Sequence, residues 1–261
     1  MSLRILAIGD VCGSAGVEYL RKNLRGKAAS LDAGLVIVNG ENAADIHGIS
    51  ARDVKALFEA GADVITTGNH AFGRRDVYTL YDDTPCLLRP DNFPPAAPGS
   101  GSVVVNACGV RVLCMNLQGN VSMNEALFSP FAAADAIFAR ESGKYDIAVL
   151  DFHAEATSEK IAMGYYLDGR AAAVWGTHTH VPTADERILP GGTAYITDIG
   201  MTGPQNGILG VDAEVIIRRF VSQMPQRFSM ANGRVGASGI IVDIDTASPH
   251  PRAASISRVV F

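Results

Sequence analysis

Short apolar runs alternate with longer amphipathic segments along the first part of the chain. Buried strands are expected at 3–9, 34–40 and 63–70. Between them, helical patterns cover 14–29 and 50–61, and the second is bounded by Ser50 as its N-cap and Gly61 as its stop. This β-α-β-α-β order favours a mainly parallel sheet with right-handed crossovers.

The pattern changes in the middle and at the end of the chain. Two short strands around an Ala-Cys-Gly turn predict a hairpin at 101–119. Helices are expected at 131–141, 159–169 and 212–223, and strands at 145–153, 171–180, 193–200, 237–245 and 254–260. The last two strands are expected to complete a second sheet. The Pro-rich stretch 89–99 is expected to be a loop within a single domain spanning 1–261, because the pattern is continuous on both sides.

The composition is that of a globular chain without a bias toward nucleic acid or membrane. Of its 261 residues, 48% are hydrophobic and 19% are charged, which is enough to bury a sizeable core. A net charge of −5 argues against nucleic acid as a stable partner. No apolar run is long enough to cross a bilayer, and the N-terminus lacks the pattern of a signal peptide. Four cysteines without a CxxC spacing indicate reduced thiols, so a cytoplasmic protein is expected.

Polar side chains with metal-binding chemistry stand at the ends of five predicted strands. They are Asp10, Glu41, Asn42, Asn69, His70, His153, His178 and His180. Because the carboxyl ends of parallel strands form the ligand crevice of such sheets, these side chains are expected to meet in one region. Each has an ordinary explanation by itself, such as a helix cap for Asp10 or a solvated loop for Glu41. Those explanations do not account for the whole set.

The donor types indicate a particular kind of metal site. Carboxylate, amide oxygen and imidazole without thiolate favour Mn²⁺, Fe or Zn²⁺. The candidates outnumber the ligands of one ion, and two ions that share a carboxylate would use them. Such pairs hold the attacking and leaving oxygens of an in-line displacement. In an extended chain, His178 and His180 would point the same way, so that each reaches a metal.

The ordered motifs "GDVCG", "NGEN", "GNH", "DFH" and "GTHTHVP" resemble those of the calcineurin-like metallophosphoesterases, and in particular their YmdB-like bacterial branch. Two departures stand out, since Cys12 replaces a histidine ligand and Glu41 replaces the bridging aspartate. Asn42 is expected to substitute for the missing ligand through its amide oxygen, with Cys12 as a bystander. The tail motif "GPQNGILGVD" also resembles that branch but adds no ligand.

The resemblance implies an α/β fold, a four-layer α-β-β-α sandwich of two mixed sheets flanked by helices, with the hairpin and the tail strands in the second sheet. It also implies two divalent or mixed-valence ions, Fe or Mn with Zn as an alternative. The implied ligands are Asp10, Glu41, Asn42 and His180 for one ion and Glu41, Asn69, His153 and His178 for the other. His70 would be the catalytic proton donor.

The activity implied is hydrolysis of 2′,3′-cAMP-type cyclic nucleotides and other phosphodiesters, by in-line attack of a metal-bridging hydroxide. A regulatory signalling role is compatible with that activity. Two alternatives stay open. One is a catalytically weak or inactive regulatory protein of the same fold that binds a nucleotide or partner. The other is an amidohydrolase barrel, although its His-x-His pair belongs at the first strand and here follows residue 175.

The residues that bind the rest of the substrate are not identified by any motif. Specificity is expected in the loops 43–49, 89–99 and 118–130. His47 could lean over the site, and Arg74 and Arg75 could either contact a phosphate or begin a helix. A homo-oligomer is expected only because most soluble oligomers are symmetric assemblies of one chain.

Overall fold

Helices and strands alternate along the computed structural model, which describes residues 2–44, 47–124, 127–247 and 252–261. The helices are α1 (Gly13–Ser30), α2 (Ala51–Ala60), α3 (Tyr78–Asp83), α4 (Pro130–Arg140), α5 (Thr157–Tyr166) and α6 (Ala213–Ser222). The first strands are β1 (Ser2–Ile8), β2 (Asp10–Val11), β3 (Leu35–Asn39), β4 (Val64–Thr66), β5 (Leu87–Leu88), β6 (Ser102–Ala107), β7 (Val110–Gln118) and β8 (Ile147–His153). The later strands are β9 (Ala173–Thr177), β10 (Arg187–Ile188), β11 (Ala194–Ile196), β12 (Met201–Pro204), β13 (Val235–Gly236), β14 (Ser238–Asp245) and β15 (Arg252–Val260).

The first sheet has the strand order β15-β14-β1-β3-β4-β5. Strands β1, β3, β4 and β5 are parallel, which confirms the predicted β-α-β-α-β start. Strand β14 runs antiparallel to β1, and β15 pairs with β14. The prediction that the tail strands belong to the second sheet is therefore wrong. The free edge of β1 has to be paired, and the backbone of β14 pairs with it over Ser2–Ile8.

The second sheet has the order β10-β11-β9-β8-β7-β6. The hairpin β6-β7 joins it as predicted, with β7 parallel to β8 and β8 parallel to β9. Its turn residues Cys108 and Gly109 have φ angles of 51° and 85°, the backbone that a two-residue hairpin turn requires. A third, small sheet orders β13-β12-β2 and carries Asp10 next to Met201.

Three apolar clusters separate four layers of structure. One lies between the sheets and contains Ile5 and Ala7 of β1 together with Trp175 of β9. Because side chains alternate along a strand, Leu6 and Ile8 face the other way and pack against α1 and α2. The third cluster packs α4 and α5 on the second sheet. This is the α-β-β-α sandwich of two mixed sheets that the motifs implied, and it excludes a barrel.

Local chemistry explains where α2 begins and ends. The hydroxyl of Ser50 accepts a hydrogen bond from Asp53 N at 3.3 Å, and the Asp53 carboxylate accepts one from Ser50 N at 3.2 Å. This reciprocal pair is a capping box. Gly61 ends the helix with a φ angle of 111°, which glycine adopts at little cost. Both predicted boundaries are confirmed.

The strand predicted at 171–180 is shorter than expected. Strand β9 ends at Thr177, and His178 and His180 have φ angles of 94° and 63°. The extended alternation predicted for the two histidines is therefore wrong, because left-handed backbone turns the chain at each of them. All four cysteines are free thiols. In the described ranges, none of the helices has both the length and the apolar character needed to cross a membrane.

Candidate functional site

The eight polar residues predicted from the strand ends lie in one connected group. Each of them has a side-chain atom within 3.8 Å of another member, and the links are those of His153 with Asn69, Asp10, Glu41 and His178, of His180 with Asp10 and Asn42, and of His70 with Glu41 and Asn69. The group lies at the carboxyl ends of β3 and β4 in the first sheet and of β8 and β9 in the second. The carboxyl ends of parallel strands form the ligand crevice in such sheets.

His153 is the centre of one half of the group, and it is completely buried. Its Nε2 atom lies 3.1 Å from the amide oxygen of Asn69 and 3.1 Å from Nδ1 of His178. The carboxylate oxygen Oε1 of Glu41 is 3.8 Å away. Asn69, His178 and Glu41 thus place three potential electron-pair donors around Nε2 of His153.

The hydrogen bonds behind these rings determine which nitrogen carries the proton. The hydroxyl of Thr177 donates to Asp151 Oδ1 at 2.7 Å, so it accepts the Nδ1–H of His153 at 3.0 Å. The lone pair of His153 therefore lies on Nε2. Nε2 of His178 lies 3.2 Å from the carboxylate of Glu155, which accepts its proton and leaves the lone pair on Nδ1. The two lone pairs face each other, which is the arrangement a shared cation stabilises.

Asp10 forms the centre of the other half. Its Oδ2 atom accepts a hydrogen bond from the backbone N–H of His178 at 3.1 Å. Among the described residues, its buried Oδ1 atom has no hydrogen-bond partner. This atom lies 3.8 Å from Nδ1 of His153 and 3.8 Å from Nε2 of His180. A buried carboxylate oxygen without a partner carries a large desolvation cost, which a bound cation would remove.

Cys12 stands where the family has a histidine ligand, and Asn42 is the residue expected to substitute for that ligand. Both contact His180. The amide nitrogen of Asn42 lies 3.3 Å from Nε2, and Sγ of Cys12 lies 3.7 Å from Nδ1. The Cys12 thiol also donates to the backbone oxygen of Asp10 at 3.4 Å. Burial, reinforced by Asp10, raises the pKa of the Cys12 thiol well above its usual value. The bystander role of Cys12 stays a prediction.

Burial shifts the pKa values in the group toward the neutral forms. It lowers the pKa of His153 and His180, and with the charge of His180 it lowers the pKa of His178 to about 4. Burial also raises the pKa of Asp10, helped by the charge of Asp198, and that of Glu41. The imidazoles of His153, His178 and His180 are thus neutral at neutral pH, the form that binds metals. The carboxyl group of Asp10 requires positive charge nearby to ionise, and the neutral rings of His153, His178 and His180 do not provide it.

The chemistry of this arrangement fits a divalent metal, although among the described residues no three His, Cys, Asp or Glu side chains are placed as in a completed metal site. The donors are imidazole nitrogen, carboxylate oxygen and amide oxygen, the set that suits Mn²⁺, Fe or Zn²⁺. The lone pairs converge, one carboxylate oxygen lacks a partner among the described residues, and burial has removed the water that would otherwise solvate these groups. Each of these features is stabilised by a cation and is unfavourable without one.

Glu41 lies beneath the loop that carries the GNH motif. Its two carboxylate oxygens accept the backbone N–H groups of Gly68 and His70, and Oε1 also lies 3.1 Å from Nδ1 of His70. Nε2 of His70 lies 3.2 Å from the amide nitrogen of Asn69. A Cβ atom at Gly68 would lie 2.1 Å from Cδ2 of His153, so only glycine lets this loop approach the imidazole.

The turn from His178 to His180 is held from beneath by a buried ion pair. Nζ of Lys160 lies 2.8 Å from Oδ2 of Asp198, and both side chains are at most 1% exposed. The same oxygen accepts the hydroxyl of Thr179 at 2.6 Å and its backbone N–H at 3.2 Å. The ion pair thus holds the residue between the two histidines and stabilises their left-handed backbone.

The sequence analysis missed the residues that position the histidines. They are Asp151, Glu155, Lys160, Thr177, Thr179 and Asp198. A signal existed for Asp151, because it precedes His153 by two residues in a strand and must therefore share its face. Lys160 carries no such signal, since it looks like any lysine of an amphipathic helix.

A cavity of about 350 Å³ opens over the group, lined in part by Asn42, His70, His178 and His180. His47 lines it too, and its ring centroid lies 4.4 Å from that of His70, so it does lean over the site. Of the described residues, none from 89–99 or 118–130 lines this cavity. Positions 45–46 and 125–126 of the predicted specificity loops lie outside the described residues.

Arg74 and Arg75 lie away from the lining of this cavity. Both side chains are exposed, and Arg75 begins a short 3-10 turn, Arg75–Val77. The helix-start interpretation of these two residues is therefore the one that the structure supports.

Comparison with known proteins identifies the family. The model of the YmdB-like protein family matches residues 6–259. The chain belongs to the YmdB-like family. It is 46% identical over 259 residues to the 2′,3′-cyclic-nucleotide 2′-phosphodiesterase of Bacillus subtilis, covering 99% of this chain and 97% of that protein. It is 34% identical to a putative phosphatase/phosphodiesterase of Mycoplasma pneumoniae, covering 99% and 94%.

Solved structures agree with this assignment. A hypothetical protein of Thermus thermophilus, a 40% identical relative, superposes with a TM-score of 0.90 over 99% of both chains. A novel phosphatase of Mycoplasma pneumoniae, 32% identical, gives a TM-score of 0.93 over 100% of this chain and 94% of that one. A calcineurin-like phosphoesterase of Bacillus subtilis, 9% identical with a TM-score of 0.62 over 99% and 90%, shares the fold. The YmdB-like and calcineurin-like resemblance and the phosphoesterase class predicted from the motifs are thereby confirmed.

Proposed function

We propose that this YmdB-like chain is a binuclear metal-dependent phosphodiesterase that hydrolyses 2′,3′-cyclic nucleotides and other phosphodiesters. The observation that carries the proposal is the convergence of electron-pair donors around Nε2 of His153, 3.1 Å from both Asn69 and His178, beside the unpartnered oxygen of Asp10. The chain's 46% identity to a phosphodiesterase named for 2′,3′-cyclic nucleotides supports the substrate class.

Two sets of donors would hold the ions, which we propose to be Fe or Mn, with Zn as an alternative. They are Asp10, Glu41, Asn42 and His180 in one set and Glu41, Asn69, His153 and His178 in the other. When bound, such ions make a nucleophile available from water near neutral pH and neutralise charge on the phosphoryl oxygens. Glu41 is placed in both sets because it stands where the family has its shared aspartate. Its carboxylate contacts the GNH loop and lies 3.8 Å from His153.

His70 is the residue we propose to donate a proton to the leaving oxygen. It lines the cavity, and its side chain is 30% exposed while Glu41 beneath it is 1% exposed. The Glu41 carboxylate lies 3.1 Å from Nδ1 and stabilises the protonated ring. His70 would release this proton toward the cavity that it lines.

With a 2′,3′-cyclic nucleotide, the chemistry consumes one water molecule. Its oxygen loses a proton to solvent as it forms a bond to phosphorus, and the bond from phosphorus to one ribose oxygen breaks. That ribose oxygen takes up the proton from His70, which regains one from solvent. The product is a nucleoside monophosphate with an open ring. An alkoxide is a strongly basic leaving group, so protonation matters more here than for an aryl ester.

Metal analysis of the purified protein, combined with hydrolysis assays, tests this function. We expect two equivalents of metal per chain, and cleavage of both bis-p-nitrophenyl phosphate and 2′,3′-cAMP that a chelator abolishes. Readdition of the metal should restore both activities. A protein that binds the nucleotide but cleaves neither compound with any of the three metals would instead be the regulatory alternative.

A further inference from the structure

The cavity over the site has a second wall whose chemistry is unlike the first. Four apolar side chains line this part of the cavity, whereas histidines line the first wall. They are Leu209, Val211, Phe228 and Met230. All four belong to the segment between β12 and β13, outside the three loops in which specificity was expected. Two of them, Leu209 and Val211, come from the tail motif "GPQNGILGVD", to which no ligand role was assigned.

Backbone pairing builds this apolar wall. Val211 and Met230 form an antiparallel bridge, flanked by hydrogen bonds from Ala231 N to Gly210 O and from Asp212 N to Ser229 O, both 2.9 Å. In such a non-hydrogen-bonded pair the two side chains stand close together on one face. Phe228 precedes Met230 by two residues and therefore shares its side of the extended chain.

The wall is attached to the metal-binding side of the site. Leu209 and His180 line the same cavity. A Cβ atom at Gly210 would lie 3.3 Å from Cβ of Cys12, so Gly210 packs against the Cys12 side chain. Leu209 itself has a φ angle of 52°, which is unfavourable for a leucine, and its side chain is 47% exposed while lining the cavity.

Arg219 orients the aromatic ring of the wall. Its guanidinium lies 5.1 Å from the centroid of Phe228. Arg219 lines a neighbouring depression of about 770 Å³, whereas Phe228 lines both that depression and the cavity over the site. The cation therefore stacks on Phe228 from the outer side and fixes the ring at the boundary between the two spaces.

We infer that this wall, with Phe228 as its aromatic member, is the subsite for the nucleobase of the substrate. The inference rests on the proposed function and adds how the substrate is recognised. A cavity of about 350 Å³ lies in the range of small-molecule sites. Nucleobases stack on aromatic side chains through their flat faces, which all bases share. Because the wall is apolar, it accepts any base and favours purines through their larger stacking area.

The inference is tested with two substrates that differ only in the presence of the base. One is 2′,3′-cAMP, and the other is methyl riboside 2′,3′-cyclic phosphate, which has the same reacting bonds and no base. For the wild-type holoenzyme, we expect a KM roughly tenfold to a hundredfold higher for the base-free compound, with a similar kcat. This comparison needs no variant and so does not depend on folding.

Variants then assign the effect to the ring. Phe228→Ala should raise the KM for 2′,3′-cAMP roughly tenfold or more, leave kcat within about twofold, and leave the base-free compound unaffected. Phe228→Trp should keep the wild-type KM. The matched control is Val221→Ala on α6 of the same segment, where the side chain is 81% exposed and outside the cavity lining, and both substrates should behave as with wild type.

Three results would overturn the inference. Equal KM values of the wild-type enzyme for the two compounds would show that the base is not bound. A Phe228→Ala effect equal on both compounds would make the ring a structural support. If the wild-type holoenzyme cleaves neither compound, the proposed function fails and the subsite with it, an outcome distinct from the first two.

Discussion

Nδ1 of His153 lies 3.0 Å from the hydroxyl oxygen of Thr177. That hydroxyl donates to Asp151 Oδ1 at 2.7 Å, and the other oxygen of Asp151 accepts hydrogen bonds from Asn39 and Thr66. All of these groups are buried. The chain of hydrogen bonds fixes the tautomer and the orientation of His153, so that its Nε2 lone pair faces the proposed metal site.

Removing this link should weaken metal binding. We predict that Thr177→Val lowers metal affinity about 10- to 100-fold, because His153 loses the acceptor that holds its Nδ1–H. Competition with a chelating dye measures the affinity. The control is Thr202→Val, since the buried Thr202 hydroxyl has no hydrogen-bond partner among the described residues. Equal affinities for the two variants would contradict the positioning role.

The proton-donor assignment predicts a dependence on the leaving group. His70→Ala should lower kcat for 2′,3′-cAMP about 10²- to 10⁴-fold, because the ribose alkoxide needs a proton to leave. The loss for bis-p-nitrophenyl phosphate should be much smaller, since nitrophenolate leaves without one. Elemental analysis should find the metal content nearly unchanged. If the variant is isolated without metal, His70 is a ligand and the assignment is wrong.

The close approach at Gly68 predicts a strict requirement for glycine. In Gly68→Ala the new Cβ would lie 2.1 Å from the ring of His153, so the loop or the imidazole must move. We expect loss of metal binding and activity, together with a lower free energy of unfolding. Gly26→Ala is the control, because nothing lies within 4 Å of its Cβ position in α1. It should instead stabilise the protein by up to about 1 kcal/mol.

The buried ion pair beneath the His178–His180 turn predicts a large effect on stability. Lys160→Met leaves Asp198 buried without its counter-charge, which costs about 3–5 kcal/mol. Urea unfolding of the metal-free protein measures it. Lys22→Met, which breaks the exposed pair with Glu18, should change stability by less than about 1 kcal/mol. A Lys160 variant as stable as the Lys22 variant would contradict the role given to the pair.

Burial raises the pKa of Asp151 from 3.8 to about 6, against the hydrogen bonds of Thr66, Thr177 and Asn39. Between pH 4 and pH 6 the folded protein therefore binds more protons than the unfolded one. This contribution to the free energy of unfolding is present below pH 4 and is lost as the pH rises to 6.

Asp151→Asn lacks that titration. The stability of the metal-free variant relative to metal-free wild type should therefore increase between pH 4 and pH 6, by up to about 3 kcal/mol. Urea unfolding at pH 4, 5, 6 and 7 measures the difference at each pH. A difference that stays constant, or that shrinks as the pH rises, would show that Asp151 is not protonated on folding.

The elements predicted correctly are those that depend on neighbouring residues. The capping box at Ser50, the stop at Gly61 and the turn at Cys108–Gly109 are set by local hydrogen bonds and backbone preferences. The two errors of fold, the sheet of the tail strands and the backbone at His178 and His180, concern relations between distant segments. Whether β14 extends the first or the second sheet depends on which strand edge is free, and nothing in its own residues specifies that edge.

The sequence by itself determined that acidic, amide and imidazole side chains meet at the ends of parallel strands, because that follows from strand order and the alternation along each strand. Only the tertiary structure decided how they are held. The left-handed turn at His178 and His180 depends on a buried ion pair, and the orientation of His153 on Thr177. The residues that hold the histidines have no distinctive chemistry in the sequence. They pair with one another in the folded protein because burial excludes water as a hydrogen-bond partner.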